Sequence, residues 1–257
     1  MLYARALLLR NCGRFTHMSS DFGSQYHTHT FVTSEALYAS LTREVTWRHS
    51  GRFIDLEEDA KKSTSEDYFF CDYNISQKPI WFIPGLFVDK QLRPLSKQRG
   101  VVDKTDFNVV DEGYPGTGGS GRAHYVPTYG RIESVLPNHW LLTCAFSPNR
   151  AELEGFAVGQ TFMLGKKRTM MQMVGLSEVI LGQPTEGACT TPYLQIPVIL
   201  INRYSWYEIL AATARYLLVR GQLRTPLSYW ELRGMFVAGV ELTVSLPDFY
   251  VKGKLPV

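Results

Sequence analysis

The sequence predicts an α+β domain, with helices packed on one face of an antiparallel sheet and a hairpin protruding from it, and three observations carry that prediction. A short apolar stretch lies at Met1–Arg10, and stretches of strand length and composition recur from Trp140 onward, which together read as strands. Thr33–Glu44 and Ser205–Gly221 place apolar residues at helical spacing behind capping residues, the pattern of helices. Between them, residues 89–125 lose all periodicity, as a functional excursion from a compact core does.

Met1–Arg10 reads as the starting strand, followed by a polar loop containing His17, His27 and His29. In TSEALYASLTRE (Thr33–Glu44), Thr33 or Ser34 caps a helix and Glu35 sits in its first turn. Residues 55–67 mix acids and lysines as a solvated surface segment does, and apolar residues return from Pro79 to Val88. Pro94, Gly113, Pro115, Gly116, Gly118, Gly119 and Gly121 then mark an extended loop or hairpin leaving the core. Trp140–Phe146, Phe156–Leu164, Arg168–Val174 and Tyr193–Asn202 are strand candidates. The clearest helix signal follows: Ser205 and Glu208 form a capping box, Trp206, Ile209, Leu210, Thr213 and Leu217 share one face, and Gly221 stops the helix before Pro226. Met235–Val244 gives the last strand, and no internal repeat is visible. Ferredoxin-like, RRM-type RNA-binding folds have this outline.

With 257 residues, 45% of them hydrophobic and 20% charged, the chain can bury one substantial core, as a soluble globular protein does. Its net charge of +3 is too small for the whole surface to hold a polyanion, so any such binding depends on local clusters. Cys12, Cys71, Cys144 and Cys189 are widely spaced and form no CxxC pair, which fits reduced thiols in a cytoplasmic protein better than a metal site or a disulfide framework. No apolar run approaches the length that spans a bilayer, so no membrane is expected as a partner. Arg5, Arg10 and Arg14 without an acid superficially suit a transit peptide, but Leu2–Arg10 reads better as a strand.

Gly116, Gly118 and Gly121 satisfy G-x-G-x-x-G without the strand before and helix after that a dinucleotide site needs, so a flexible hairpin tip is the better reading and no cofactor is expected. His27 and His29 lack the accompanying ligands of a metal site, and they read as ordinary loop residues. Two basic clusters stand out. Lys90, Arg93, Lys97 and Arg99 lie in an acid-free stretch from Lys90 to Val102, Lys104 follows, and Arg122, His124 and Tyr125 close the excursion that this run opens. Cations and an aromatic at the root of one hairpin can clamp a single strand through phosphate contact and base stacking. The second cluster, Gly165, Lys166, Lys167 and Arg168, is either a plain turn or a phosphate-facing one between two strands.

Specific residues then resemble a family. The run Tyr125–Ile132 (YVPTYGRI), Leu136 and Pro137 before a strand ending at Phe146, and FMLGKKR from Phe162 to Arg168, together with Ala36, Leu37, Tyr38, Ala39 and Leu41, resemble the Cas-five-type subunit of type I-D CRISPR Cascade effector complexes, called Csc-one. The likeness covers roughly the first two thirds of the chain. Ser34 and Glu35 stand where that family commonly has Asn-Tyr, residues 55–67 find no counterpart, and the part from Ile196 onward matches only in outline.

The resemblance implies a RAMP-like RNA-binding domain over residues 1–257, with a ferredoxin-like core and residues 88–125 inserted as a thumb. It implies a non-catalytic subunit in antiviral defence that holds the 5′ handle of the crRNA. Its partners would be the Cascade backbone and large subunits, with target DNA bound through the assembled complex. Arg131, Lys166, Lys167 and Arg168 become handle contacts by motif, while Lys90, Arg93, Lys97, Arg99, Arg122, His124 and Tyr125 are added by location. Two rival readings remain: a metal-independent crRNA-processing endoribonuclease using His27, His29 or His124 with a lysine, and a protein-interaction module without RNA.

Overall fold

In a computed structural model that describes residues 1–16, 18–22, 25–46, 78–108, 129–165, 169–212, 216–225 and 227–253, the chain is mainly β. Its first part runs β1 (Tyr3–Asn11), β2 (Met18–Phe22), β3 (Gln25–Thr28), β4 (Phe31–Val32) and α1 (Ser34–Thr46). It continues with β5 (Trp81–Phe82), β6 (Gly85–Val88), β7 (Val102–Asn108), β8 (Tyr129–Val135), β9 (Trp140–Ser147) and α2 (Arg150–Glu154). Then come β10 (Thr161–Leu164), β11 (Thr169–Leu176), β12 (Ile180–Leu181), β13 (Gln183–Glu186), β14 (Cys189–Pro197) and a 3₁₀ segment (Val198–Arg203). The chain ends with β15 (Tyr204–Ala212), β16 (Tyr216–Leu223), β17 (Ser228–Val237), β18 (Val240–Pro247) and α3 (Asp248–Lys252).

The main sheet has the order β10-β11-β1-β9-β6-β4, with β12 added on β1 and β5 on β9. β1 lies near its middle, antiparallel to β9 and β11. Leu7, Leu8 and Leu9 are all buried, which an alternating strand achieves only when both faces of its sheet are covered. β17 packs against β1 and β11, while α1 packs on β5 and β10. Thr33 caps α1, its Oγ1 accepting from Ala36 N at 3.4 Å. Leu37 and Leu41, one turn apart, are fully buried. Tyr38 packs on Trp81 with ring centroids 4.9 Å apart, and Ser40 Oγ donates to Met163 O at 2.6 Å.

The expected helix over Ser205–Gly221 is not formed. The described parts of that stretch are β15 and β16, paired antiparallel in the sheet β14-β16-β15. Tyr204, Trp206, Tyr207 and Ile209 favour a pleated surface, so the capping-box spacing of Ser205 and Glu208 is coincidental. Gly221 is no helix stop either: it lies within β16, where a Cβ would fall 2.2 Å from the Trp206 carbonyl oxygen, so only glycine admits the approach of β15. Other departures are smaller. The polar segment before α1 contains β2, β3 and β4, strand structure within Phe156–Leu164 is confined to β10, and Tyr193–Asn202 divides between β14 and the 3₁₀ segment. The last expected strand is two strands joined at Ala238 and Gly239, both at positive φ, a tight turn masked by alanine at a position usually given to asparagine or glycine. Thus α1 is the one helix longer than two turns among the described residues, and the outline of helices covering one face gives way to packed sheets.

β2-β3-β8-β7 make a separate small sheet, in which β7 and β8 are the antiparallel arms of a hairpin and β3 runs parallel to β8. The turn from β8 into β9 pins it to the main sheet. Buried Asn11, at the end of β1, donates from Nδ2 to Leu136 O (2.7 Å) and Gly13 O (2.9 Å) and accepts from His139 N (2.7 Å). Gly221→Ala should lower stability by about 1–3 kcal/mol through overpacking, read as a lower urea midpoint; an unchanged midpoint would contradict the β15–β16 approach.

Candidate nucleic-acid interface

Strands alternate their side chains between faces, so Arg131 and Glu133 on β8 share one face. Glu133 is the buried charge on that face, with only 8% of its side chain exposed. A carboxylate so withdrawn from water must be matched by donors and charge, and three elements supply them. His27 of β3 places Nδ1 3.2 Å from Oε1, and Lys104 of β7, directly opposite Glu133 in the ladder, places Nζ 3.5 Å from Oε1. Lys97, in the loop between β6 and β7, donates from Nζ to Oε2 at 3.0 Å, and the Thr28 backbone N–H donates to Oε2 at 3.3 Å. Burial pushes the Glu133 carboxyl up, but Lys97 and then His27 outweigh it by hydrogen bond and charge, and the net shift is below the ordinary value.

These three side chains keep an outward side. The side chains of His27, Lys97 and Lys104 are 36%, 39% and 58% exposed, and Arg131 is exposed beside them. One carboxylate against two lysines leaves net positive charge, with the ammonium groups already positioned. This arrangement can receive a phosphate from the solvent side while Glu133 holds the cations from beneath.

The described backbone brings Gly165, the residue that precedes the second basic cluster in sequence, close to β8 through Thr16. Gly165, at φ +81°, opens the turn from β10 to β11, and a Cβ there would lie 2.7 Å from the Thr16 carbonyl oxygen. Thr16 Oγ1 in turn donates to Glu133 O at 3.3 Å. Phe15 and Val135 exchange backbone hydrogen bonds of 2.9 and 2.7 Å, and Thr169 Oγ1 donates to Arg14 O at 2.7 Å. Residues 14–16 therefore stitch β8 to the Gly165 turn.

The residues singled out from sequence fall into three groups. Lys97 reaches Glu133, and Arg131 lies two residues from Glu133 on the same strand face. Lys90 and Arg99 are exposed in the loop after β6, while Arg93 folds back on Asp89, donating from Nε to Oδ2 at 2.8 Å. Asp89 also accepts from the Arg93 and Gln91 backbone N–H groups, which hold its carboxyl below the usual range; Arg93 thus stabilises its own turn. Arg122, His124, Tyr125, Lys166, Lys167 and Arg168 lie outside the described residues, as do His17, Cys71 and residues 55–67. His29 is half-buried and stacked on Phe31 at 4.5 Å.

Sequence reasoning passed over Glu133 and left Lys104 and His27 outside the site. The available signal was an acid two residues from Arg131 on one strand face. Among the described residues no group of three or more His, Cys, Asp or Glu is placed to hold a metal ion, and no helix is long and apolar enough to cross a membrane. Cys12, Cys144 and Cys189 are free thiols, and burial pushes the latter two up to about 12.

No protein-family model matches the sequence, and no curated protein matches it. Among solved structures, the chain is similar to a chain in the cryo-EM structure of the Type III-B Cmr-beta bound to cognate target RNA, at 10% identity and a TM-score of 0.42. The match covers 70% of this chain and 61% of that one.

Because the folded-state value of Glu133 is depressed, its stabilisation is present above its ordinary value of 4.5 and is lost as pH falls through the lower folded one. Glu133→Gln should therefore cost about 1.5–3 kcal/mol near neutrality, with the gap to wild type closing in urea titrations as pH falls below the ordinary value of 4.5 and through the lower folded one. A gap independent of pH would contradict an ionised, cation-bound Glu133.

Proposed function

We propose that this chain is a non-catalytic RNA-binding subunit that holds the 5′ handle of a crRNA in a CRISPR effector complex. The observation that best supports this is the pair of lysines organised on one buried carboxylate, with Gly165 held close to the same strand through Thr16; on this reading the lysines that follow Gly165 in sequence share the same polyanion. The residue motifs shared with Csc-one support a finer reading. The chain is then a Cas-five-type RAMP subunit of a type I-D Cascade, working in the cytoplasm, with a ferredoxin-like core and residues 88–125 as a thumb. It caps the backbone filament, contacts the backbone and large subunits, and meets target DNA through the assembled complex. Phosphate contacts supply affinity and register, and stacking by aromatics supplies a sequence-tolerant grip.

The test is RNA retention by the chain purified with its neighbours, measured over a salt series. Lys97→Ala, Lys104→Ala and Arg131→Ala should each weaken binding and lower the dependence of log affinity on log salt by about 0.7 for each phosphate left unneutralised. Joint charge reversal of Lys97, Lys104, Lys166 and Lys167 should release the RNA; unchanged occupancy would overturn the proposal.

One observation favours a second reading, the metal-independent endoribonuclease. Glu133 orients the His27 imidazole beside the Lys104 ammonium, and such a pair can take a 2′-hydroxyl proton and protonate the leaving 5′ oxygen. Incubating a repeat transcript with the chain in chelator separates the two. The non-catalytic proposal expects intact RNA, whereas cleavage to a 2′,3′-cyclic phosphate that disappears in His27→Ala would replace it.

A further inference from the structure

β15 is the outermost strand of its sheet: among the described residues it pairs with β16 alone. Edge strands that must stay unpartnered are short, or carry lysine, proline or inward-pointing charge. β15 is nine residues long, and every residue from Ser205 to Ile209 is exposed. Trp206, Tyr207 and Ile209 are 47%, 49% and 46% exposed, and the preceding 3₁₀ segment adds Val198 and Ile199 at 53% and 67%. These apolar groups border main-chain N–H and C=O groups that β16 does not engage.

The strand's one acid does not guard this edge. Glu208 accepts from Arg220 Nε at 2.6 Å and from the Tyr193 hydroxyl at 2.8 Å, and the Arg220 guanidinium lies 5.2 Å from the Tyr193 ring centroid. That carboxylate is thus neutralised within its own sheet. Positive charge dominates the surroundings: residues 198–225 contain four arginines, Arg203, Arg215, Arg220 and Arg224, against the single acid Glu208. Arg203 and Arg224 are both exposed and meet at the Tyr204 end of the strand, where Arg224 N donates to Arg203 O at 2.8 Å.

We propose that the open edge of β15 receives an extended peptide from a partner protein as an added strand, apolar at alternate positions and acidic where it passes Arg203 and Arg224. An edge strand offers alternating donors and acceptors, which another peptide backbone matches and a phosphodiester, having acceptors only, does not. Ile209, Val198 and Ile199 are aliphatic, which suits peptide side chains, while the exposed Trp206 and Tyr207 suit a peptide or a base alike, so competition by an oligouridylate separates the two. The arginine pair then sets the direction and register of the incoming strand by charge complementarity. The proposal uses none of the residues that bind Glu133 and does not depend on how RNA is held.

The test uses the full-length chain and fluorescein-labelled peptides of about twelve residues, alternating valine and threonine and ending in two aspartates, at the amino end in one and at the carboxyl end in the other. A control peptide ends in two lysines. Anisotropy should show one aspartate peptide binding at least about tenfold more tightly than the lysine control. Ile209→Lys should weaken it by a similar factor, and Arg224→Glu should reverse the charge preference, with thermal midpoints and RNA retention unchanged. Four results would overturn the proposal: no peptide binding, binding indifferent to these substitutions, displacement of the peptide by an oligouridylate, or a concentration-dependent dimer of the chain that Ile209→Lys dissolves. Loss of RNA retention in Lys97→Ala and Lys104→Ala alone would leave it standing.

Discussion

Taking a carboxylate out of water is costly unless charge and hydrogen bonds replace its hydration, and that constraint shapes the small sheet around Glu133. A strand from before α1 contributes an imidazole, and a loop after β6 and an arm of the β7–β8 hairpin each contribute an ammonium group, to the same two oxygens. Removing the carboxylate would leave two lysines and a histidine without their common partner. The Thr28 N–H closes the arrangement from the backbone side, so Glu133 sets the spacing between β3 and β8 as well as the positions of the ammonium groups.

The rest of the fold holds that cluster in place. β1 is buried on both faces and fixes the main sheet, Asn11 at its end locks the turn between β8 and β9, and residues 14–16 tie β8 to the Gly165 turn. Positioning is therefore built on strands and backbone hydrogen bonds rather than on long loops alone, which is what a geometry-dependent anion site requires. In the β14–β16 sheet, β15 presents an apolar, arginine-flanked edge of different chemistry.

Local pattern made some elements legible. Leu7–Leu9 marked β1, the spacing of Leu37 and Leu41 behind Thr33 marked α1, and Trp140–Phe146 marked β9. Ser205–Gly221 failed because its apolar spacing suits a helix as well as a strand, and Gly221 serves a close strand contact that no local pattern reveals. Of the site, the cation run at 90–104 was visible, but only Lys97 and Lys104 within it reach Glu133, whereas Arg93 turns back to Asp89 four residues earlier. Glu133 itself was hidden because its partners come from three separate segments, and His27 looked like a loop residue because β3 is short and polar.

On the proposed reading, the lysines organised by Glu133 and the lysines that follow Gly165 bind one polyanion together. Lysine acetylation footprinting of the assembled particle, with and without its RNA, tests this most directly. Lys97, Lys104, Lys166 and Lys167 should lose reactivity together when RNA is present, while Lys252, paired with Asp248 on α3, stays as reactive as before. Protection of one cluster without the other, or of neither, would contradict the account.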